Sequence, residues 1–328
     1  MRIVLCYPVE PRHIERIAAA APGDEIVDAG QERIAEELFG ADIFCGHAKV
    51  PVDWEGVMRQ GRLQWIQSSA AGMDHCLVPS VIASKVVVTS ASGVLADQVG
   101  EHTIALVTAW LRSLPVYFRA QEKREFIRRP TRDLHNTTVG IVGLGGNGRR
   151  LAELLRPFKT RILATDLFPV DKPASVDALW PAEGLDRLLA ESDIVILAAP
   201  LNANTQGMID KAALAKMKPT ALLANMARGG LVVTDDLIAA LESGGIAGAV
   251  MDVTDPEPLP SGNKLWELPN VIITPHVGGQ AKTRIDDMTD LFCENLRRWR
   301  AGKPLINLLT DKNLGFPIRG AGVPLWVL

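Results

Sequence analysis

Cysteine is scarce in this chain. Cys6, Cys45, Cys76 and Cys293 are the only four in 328 residues, and no two stand close together or at C-x-x-C spacing. That pattern argues against a disulfide framework and a structural zinc, and predicts reduced, mostly buried thiols in a cytoplasmic protein. An excess of one charge is missing too, since 35 Lys and Arg face 38 Asp and Glu, a formal net charge of −3. Nucleic acid and anionic membranes both need clustered cations, so the expected partners are small molecules or protein. No apolar run reaches the roughly 20 residues that span a bilayer, and Met1–Cys6 runs straight into a strand pattern where a signal peptide would have an apolar core. Internal repeats, low-complexity blocks and flexible linkers are absent as well.

What the chain does have is Gly143-Leu144-Gly145-Gly146-Asn147-Gly148, placed between the apolar run Thr138–Val142 and the helical pattern Arg149–Leu155. Strand, glycine turn and helix start come in the order that cradles a pyrophosphate. The first glycine permits the tight turn, the second the approach of the phosphates, and the third close packing of helix on strand. A second apolar run, Thr160–Thr165, ends in Asp166, about 20 residues on, where a carboxylate can accept from both ribose hydroxyls of NAD. No basic residue follows directly in Leu167-Phe168-Pro169, so NAD is expected over NADP.

Length alone suggests about two domains of roughly 150 residues. Apolar runs at Ile3–Leu5, Ile26–Val27, Ile43–Cys45, Leu63–Ile66 and Val86–Thr89 alternate with helical patterns such as Arg12–Ala20 and Gln31–Phe39, predicting a parallel, flavodoxin-like sheet. Asp97–Arg112 reads as a connecting helix, and charged Gln121–Arg132 as an exposed arm with a solvated helix face. Six further runs, 139–142, 161–165, 194–197, 221–224, 247–251 and 271–274, fit a Rossmann sheet. The amphipathic stretch Thr283–Trp299 and the tail are too short for a domain and should return to the first one. The expected architecture is thus a Rossmann dinucleotide-binding domain, 99–279, inserted into a flavodoxin-like α/β substrate domain, 1–98 plus 280–328.

Ligands of open α/β sheets bind beyond the carboxyl ends of the strands, and three late strands deliver reactive groups there. Asn225-Met226-Ala227-Arg228-Gly229 puts a guanidinium, able to grip a carboxylate bidentately, on a glycine turn. Asp252-Val253-Thr254-Asp255-Pro256-Glu257 holds carboxylates on proline-stiffened turns. Thr274-Pro275-His276-Val277-Gly278 puts an imidazole beside glycines that allow a ligand close. Removing hydride from an alcohol carbon requires removing the hydroxyl proton, and an acid substrate needs a cation. His276 can carry the proton, Glu257 can orient and charge-balance the imidazolium, and Arg228 can bind the acid. His13, His47, His75, His102 and His135 lack that setting and read as structural or exposed.

With these residues in hand, the chain resembles the D-isomer-specific 2-hydroxyacid dehydrogenases over essentially its whole length. That family carries Arg in Asn-x-x-Arg-Gly, here Asn225–Gly229, Glu after an Asp-Val turn before Pro, here Glu257, and His in Thr-Pro-His, here His276. The resemblance implies that Asp252 meets the nicotinamide amide, that Pro200, Thr205, Ala227, His276 and Gly278 lie along the NAD, and that the loop Ser69–Asp74, with Ala71 and Gly72, binds substrate carboxylate through backbone N–H groups. It implies a homodimer formed through the cofactor domains and their arm. Gly146-Asn147 replaces the Arg-Ile common in the family's fingerprint, so pyrophosphate contact should lean on backbone and Arg149. Phosphoglycerate dehydrogenases place an Arg near Cys45–Ala48 and often add a regulatory domain, so glyoxylate, hydroxypyruvate or another small 2-oxo acid is the expected substrate. Leu95 stands where formate enzymes use Asn. The alternatives are an NAD(H)-gated binding protein of the corepressor type, from another class, and a phosphoglycerate dehydrogenase within enzymes.

Overall fold

The computed structural model describes residues 1–320 and 322–326. The chain forms two compact units, one of Met1–Leu95 with Ala281–Leu328 and one of Ala96–Gln280.

The first unit alternates β1 (Arg2–Cys6), α1 (Pro11–Ala20), β2 (Glu25–Asp28), α2 (Gly30–Glu37), β3 (Ile43–Gly46), α3 (Trp54–Gln60), β4 (Trp65–Ser68), α4 (Pro79–Ala83) and β5 (Val87–Thr89). All strands pair in parallel in the order β2-β1-β3-β4-β5, the doubly wound flavodoxin-like arrangement. Continuous apolar runs such as Ile3-Val4-Leu5, wholly buried, are what a strand covered on both faces requires. α1 starts on Pro11 in a reciprocal capping box, with the Glu10 amide donating to His13 Nδ1. The other nitrogen of His13 therefore carries the proton, and it donates to Asp286 at 3.2 Å.

The second unit contains α5 (Ala96–Leu111), α6 (Leu114–Glu122), β6 (Thr138–Val142), α7 (Gly146–Leu155), β7 (Arg161–Asp166), β8 (Ala178–Pro181), α8 (Leu185–Glu191), β9 (Ile194–Leu197), α9 (Lys211–Leu214), β10 (Leu222–Asn225), α10 (Thr234–Glu242), β11 (Gly248–Met251) and β12 (Val271–Ile273). Its parallel sheet runs β12-β11-β10-β9-β6-β7-β8, so the chain leaves β6 first in one direction and later in the other. That reversal between β6 and β9 creates the crevice in which doubly wound sheets bind dinucleotides. The last helix, α11 (Arg284–Arg300), belongs to the first unit, where Trp299 stacks on Trp65 at 5.4 Å between ring centres.

Two expectations need correction. The Rossmann sheet has seven strands where six were read, because β8 is a four-residue, half-buried edge strand ending in Pro181, with too little apolar pattern to stand out. The segment Glu122–Arg132 is not a helix face, since α6 ends at Glu122. Arg124 adopts φ 58° there, while the amides of Arg124 and Glu125 bond back to Gln121 and Ala120 and stop the helix. All four cysteines are buried free thiols, and burial pushes Cys6 up to about 11 and Cys76 to about 12.

Candidate active site and dinucleotide cradle

The glycine turn after β6 has a different cause at each position. Gly143 sits at φ 96°, and a Cβ there would stand 2.7 Å from the Ala199 nitrogen, so the end of β9 closes on it. A Cβ on Gly148 would stand 2.1 Å from the Gly143 carbonyl oxygen, so only glycine lets α7 start this close to the turn. Around Gly145 a Cβ would meet nothing within 4 Å. Neither packing nor a positive φ demands glycine at that position, and the open space beside it leaves room for a ligand. α7 begins at Gly146 and Asn147 without a side-chain cap, which leaves its first-turn N–H groups for an anion.

Asp166 ends β7 with both carboxylate oxygens fixed, Oδ2 accepting from the Leu144 amide at 2.7 Å and Oδ1 from Phe168 at 2.9 Å. The acid is thereby locked against the glycine turn, with lone pairs left for ribose hydroxyls. Arg149, expected to support the pyrophosphate, donates to the carbonyls of Leu144 (3.1 Å) and Asp171 (2.7 Å) and pairs with the Asp171 carboxylate at 3.4 Å. Beyond β9, Thr205 Oγ1 donates to Pro200 O at 2.7 Å and accepts from the Asn202 amide, which closes the 200–205 loop. These residues fit a dinucleotide.

The ends of β10, β11 and β12, neighbours in the sheet, carry the reactive groups. Asn225, wholly buried, braces the turn after β10 by donating to Arg228 O at 2.9 Å and accepting from the Ala227 amide at 3.1 Å. Arg228 follows in extended conformation, with Nη1 donating to Ala227 O at 2.8 Å. Gly229 then presses on the next loop, where its Cβ would stand 2.0 Å from the Thr254 carbonyl. Asp252, 3% exposed, is the knot of the last turn. Its Oδ1 accepts from Thr274 Oγ1 at 2.7 Å and Val277 N at 2.9 Å, its Oδ2 accepts from Gly278 N at 2.8 Å, and its carbonyl takes the His276 amide at 2.7 Å. So bound, His276 is held at φ 55°, a left-handed conformation uncommon for a residue with a side chain.

His276 Nδ1 lies 2.7 Å from Glu257 Oε1, both side chains more than two-fifths exposed. A carboxylate only accepts, so Nδ1 carries the proton and Nε2 is the nitrogen left to exchange one with a substrate. His102 is nearer this chemistry than its place in a connecting helix suggested: its Nε2 lies 3.0 Å from Thr274 Oγ1 and 3.2 Å from Asp252 Oδ1. No local pattern brings α5 to the end of β12, so sequence reading missed this support. Thr274, hidden in Thr-Pro-His, was likewise unread as a partner of Asp252. In the first unit, Ala71 is exposed and Gly72 half-buried on the loop after β4.

The description D-isomer specific 2-hydroxyacid dehydrogenase, NAD binding domain, matches residues 104–278, more than half of the chain. The chain belongs to that family. Similar relatives include the glycerate dehydrogenase of Methylorubrum extorquens, 33% identical over 283 residues covering 83% of this chain and 87% of that protein. The glyoxylate reductase of Pyrococcus furiosus is 33% identical over 284 residues, with 83% of each chain covered. Among solved structures, the NADPH-dependent glyoxylate/hydroxypyruvate reductase of Sinorhizobium meliloti, in complex with NADP and sulfate, superposes with a TM-score of 0.81 at 25% identity over 96% of this chain and 99% of that one. The protein is a D-2-hydroxyacid dehydrogenase, with a Rossmann NAD(P)-binding domain and a second α/β domain. Among the described residues no helix is long and apolar enough to cross a membrane, and no cluster of three or more His, Cys, Asp or Glu is arranged to hold a metal.

Proposed function

We propose that this dehydrogenase interconverts a small 2-oxo acid of the glyoxylate or hydroxypyruvate type and its D-2-hydroxy acid, with NAD as cofactor. The observation that carries the reading is the His276–Glu257 pair at 2.7 Å, with His276 on a left-handed turn after β12 and Glu257 and Arg228 in the loops after the neighbouring strands β11 and β10. The names of the relatives support the substrate class. The dinucleotide, when bound, exchanges the hydride. His276 Nε2 gives its proton to the substrate's carbonyl oxygen in reduction and takes it back in oxidation, while Glu257 balances the imidazolium. Arg228 grips the carboxylate and carbonyl oxygens with its planar fork, and the N–H groups of Ala71 and Gly72 take the carboxylate. Gly143, Gly145, Gly146, Asn147 and Gly148 hold the pyrophosphate, Asp166 the ribose, and Pro200, Thr205, Ala227, Asp252, His276 and Gly278 the nicotinamide half. In this reading 99–279 is the NAD-binding domain and 1–98 with 280–328 the substrate domain.

Asp166 supports NAD because a second negative charge would repel a 2′-phosphate. The S. meliloti relative holds NADP, so the two cofactors are to be compared directly. Pairing of two copies is proposed on the 114–127 segment, where Phe126 is 91% and Phe118 58% exposed, apolar surface of the kind that partners cover. The test is loss of NADH absorbance across a panel of 2-oxo acids, beside light scattering. Turnover of glyoxylate or hydroxypyruvate at twice the monomer mass is expected. Tight NADH binding without turnover of any oxo acid would favour a nucleotide-gated binding protein.

A further inference from the structure

Within the first unit a chain of buried amides and hydroxyls runs through a place where an apolar core would do. Gln67, wholly buried near the end of β4, accepts at Oε1 from Thr89 Oγ1 (2.8 Å) and Asn295 Nδ2 (2.9 Å), and donates from Nε2 to Ser68 O (2.9 Å) and Ser90 O (3.4 Å). Thr89 Oγ1 in turn accepts from Trp65 Nε1 at 2.8 Å. Asn295, on α11, also donates to Ile306 O and accepts from Ile306 N, which fixes the strand-like segment that follows.

Asn307 is the next member and the most connected. It is 1% exposed and held at φ 57°. Its Nδ2 donates to Ser90 O (3.2 Å) and Ser92 O (2.8 Å), and its carbonyl accepts from Ser90 N at 3.1 Å. On its other side the C-terminal segment closes the network, with Asn307 N donating to Pro324 O (2.9 Å) and Trp326 N donating to Asn307 Oδ1 (3.0 Å). The far end of the chain of bonds is the loop after β4. The Ala91 amide donates to Ala70 O at 3.0 Å, and Ser68 Oγ accepts from the Ala70 amide and donates to its carbonyl.

Burying this many polar groups costs free energy unless each is bonded, and an apolar core would avoid the cost altogether. What a satisfied network supplies in exchange is position, because amide geometry fixes the carbonyls of Ser68, Ser90 and Ser92 more tightly than packing alone. Those carbonyls flank the root of the Ser69–Asp74 loop. We propose that Asn307, closed over by Pro324 and Trp326, is a positioning residue for substrate binding that holds the backbone N–H groups of that loop in register. The inference rests on the reading of Ala71 and Gly72 as carboxylate donors.

Three full-length variants test it. Asn307→Gly tolerates the left-handed φ and deletes the side-chain bonds; Trp326→Ala leaves the network intact but loosens the segment that closes it; Ala71→Pro removes one loop N–H. A donor array displaced by a fraction of an ångström should raise KM for glyoxylate or hydroxypyruvate by about tenfold in Asn307→Gly, and less in Trp326→Ala. In both, kcat should stay within about twofold, and the Kd for NADH, read by fluorescence, should not change, because the glycine turn lies in the other unit. Native KM in both variants, whatever their melting temperatures, while Ala71→Pro raises KM would overturn the role of Asn307 and leave the loop reading standing. Native KM in Ala71→Pro would remove the loop from substrate binding and the inference with it.

Discussion

Gly229→Ala adds one methyl group at a crowded point of the proposed active site. The new Cβ would lie 2.0 Å from both the carbon and the oxygen of the Thr254 carbonyl and 2.5 Å from Asp255 N. All three are backbone atoms, so no side chain can swing aside. Contacts closer than 3.0 Å are essentially never made by a real Cβ, so the 252–257 loop has to retreat by about 1 Å, a misplacement that costs on the order of 10²-fold in rate when it reaches catalytic groups. It reaches the groups proposed to be catalytic, because the loop carries Glu257 and begins at Asp252, which holds the His276 turn. Overpacking of this kind costs about 1–3 kcal/mol, a fall in Tm of about 2–12 °C for a domain the size of Ala96–Gln280. The assay is kcat/KM for reduction of glyoxylate with NADH, beside calorimetry and NADH titration. The expected variant is folded, binds NADH and turns over about 100-fold less efficiently. Native kcat/KM together with native Tm would show that the loop yields freely, and the tight Arg228–Glu257 framework would then be no framework.

Further outcomes follow from the same geometry. His276→Ala should lose about 10²–10⁴-fold in turnover while still binding NADH; native turnover in that variant would exclude His276 as the proton carrier. Arg228→Lys should be severe, since a point-like ammonium cannot reproduce the planar fork; near-native kcat/KM for oxo acids would take Arg228 out of the site. Asp166→Ala should narrow the preference for NADH over NADPH, and a native protein that used NADPH more efficiently would refute the assignment of Asp166. Asp252→Asn keeps one acceptor but sets an amide N–H against either the Gly278 amide or the donors at Oδ1. It should cost about 2–4 kcal/mol, and a melting temperature equal to the native one would show that the turn does not depend on this carboxylate.

The sheets were legible because parallel strands covered on both faces must be apolar throughout, as Ile194-Val195-Ile196-Leu197 is. β8 escaped for the opposite reason, lying half-buried at an edge. Arg228, Glu257 and His276 could be singled out because they stand in the turns that follow strands, and the structure brings His276 and Glu257 to 2.7 Å. His102, Thr274 and Asn225 were not, since their work is to hold a turn, and hydrogen bonds between residues 102 and 274 leave no periodicity to read. The buried network around Gln67 and Asn307 was invisible in the same way, as isolated amides in a sequence look like loop residues.

The first unit is assembled from both ends of the chain, and this sets an order of events during synthesis. Its five strands are complete by residue 89, yet Tyr7 waits for Thr289, and Gln67 for Asn295. At roughly 5–20 residues per second the ribosome needs about 10–40 s to deliver them. Ala96–Gln280 is continuous and can mature in that interval, while the early sheet stands with Trp65 uncovered by Phe292 and Trp299. The unit read as binding substrate is thus the last to be finished, and a stalled or prematurely released chain would carry a folded nucleotide domain beside an apolar face open to aggregation.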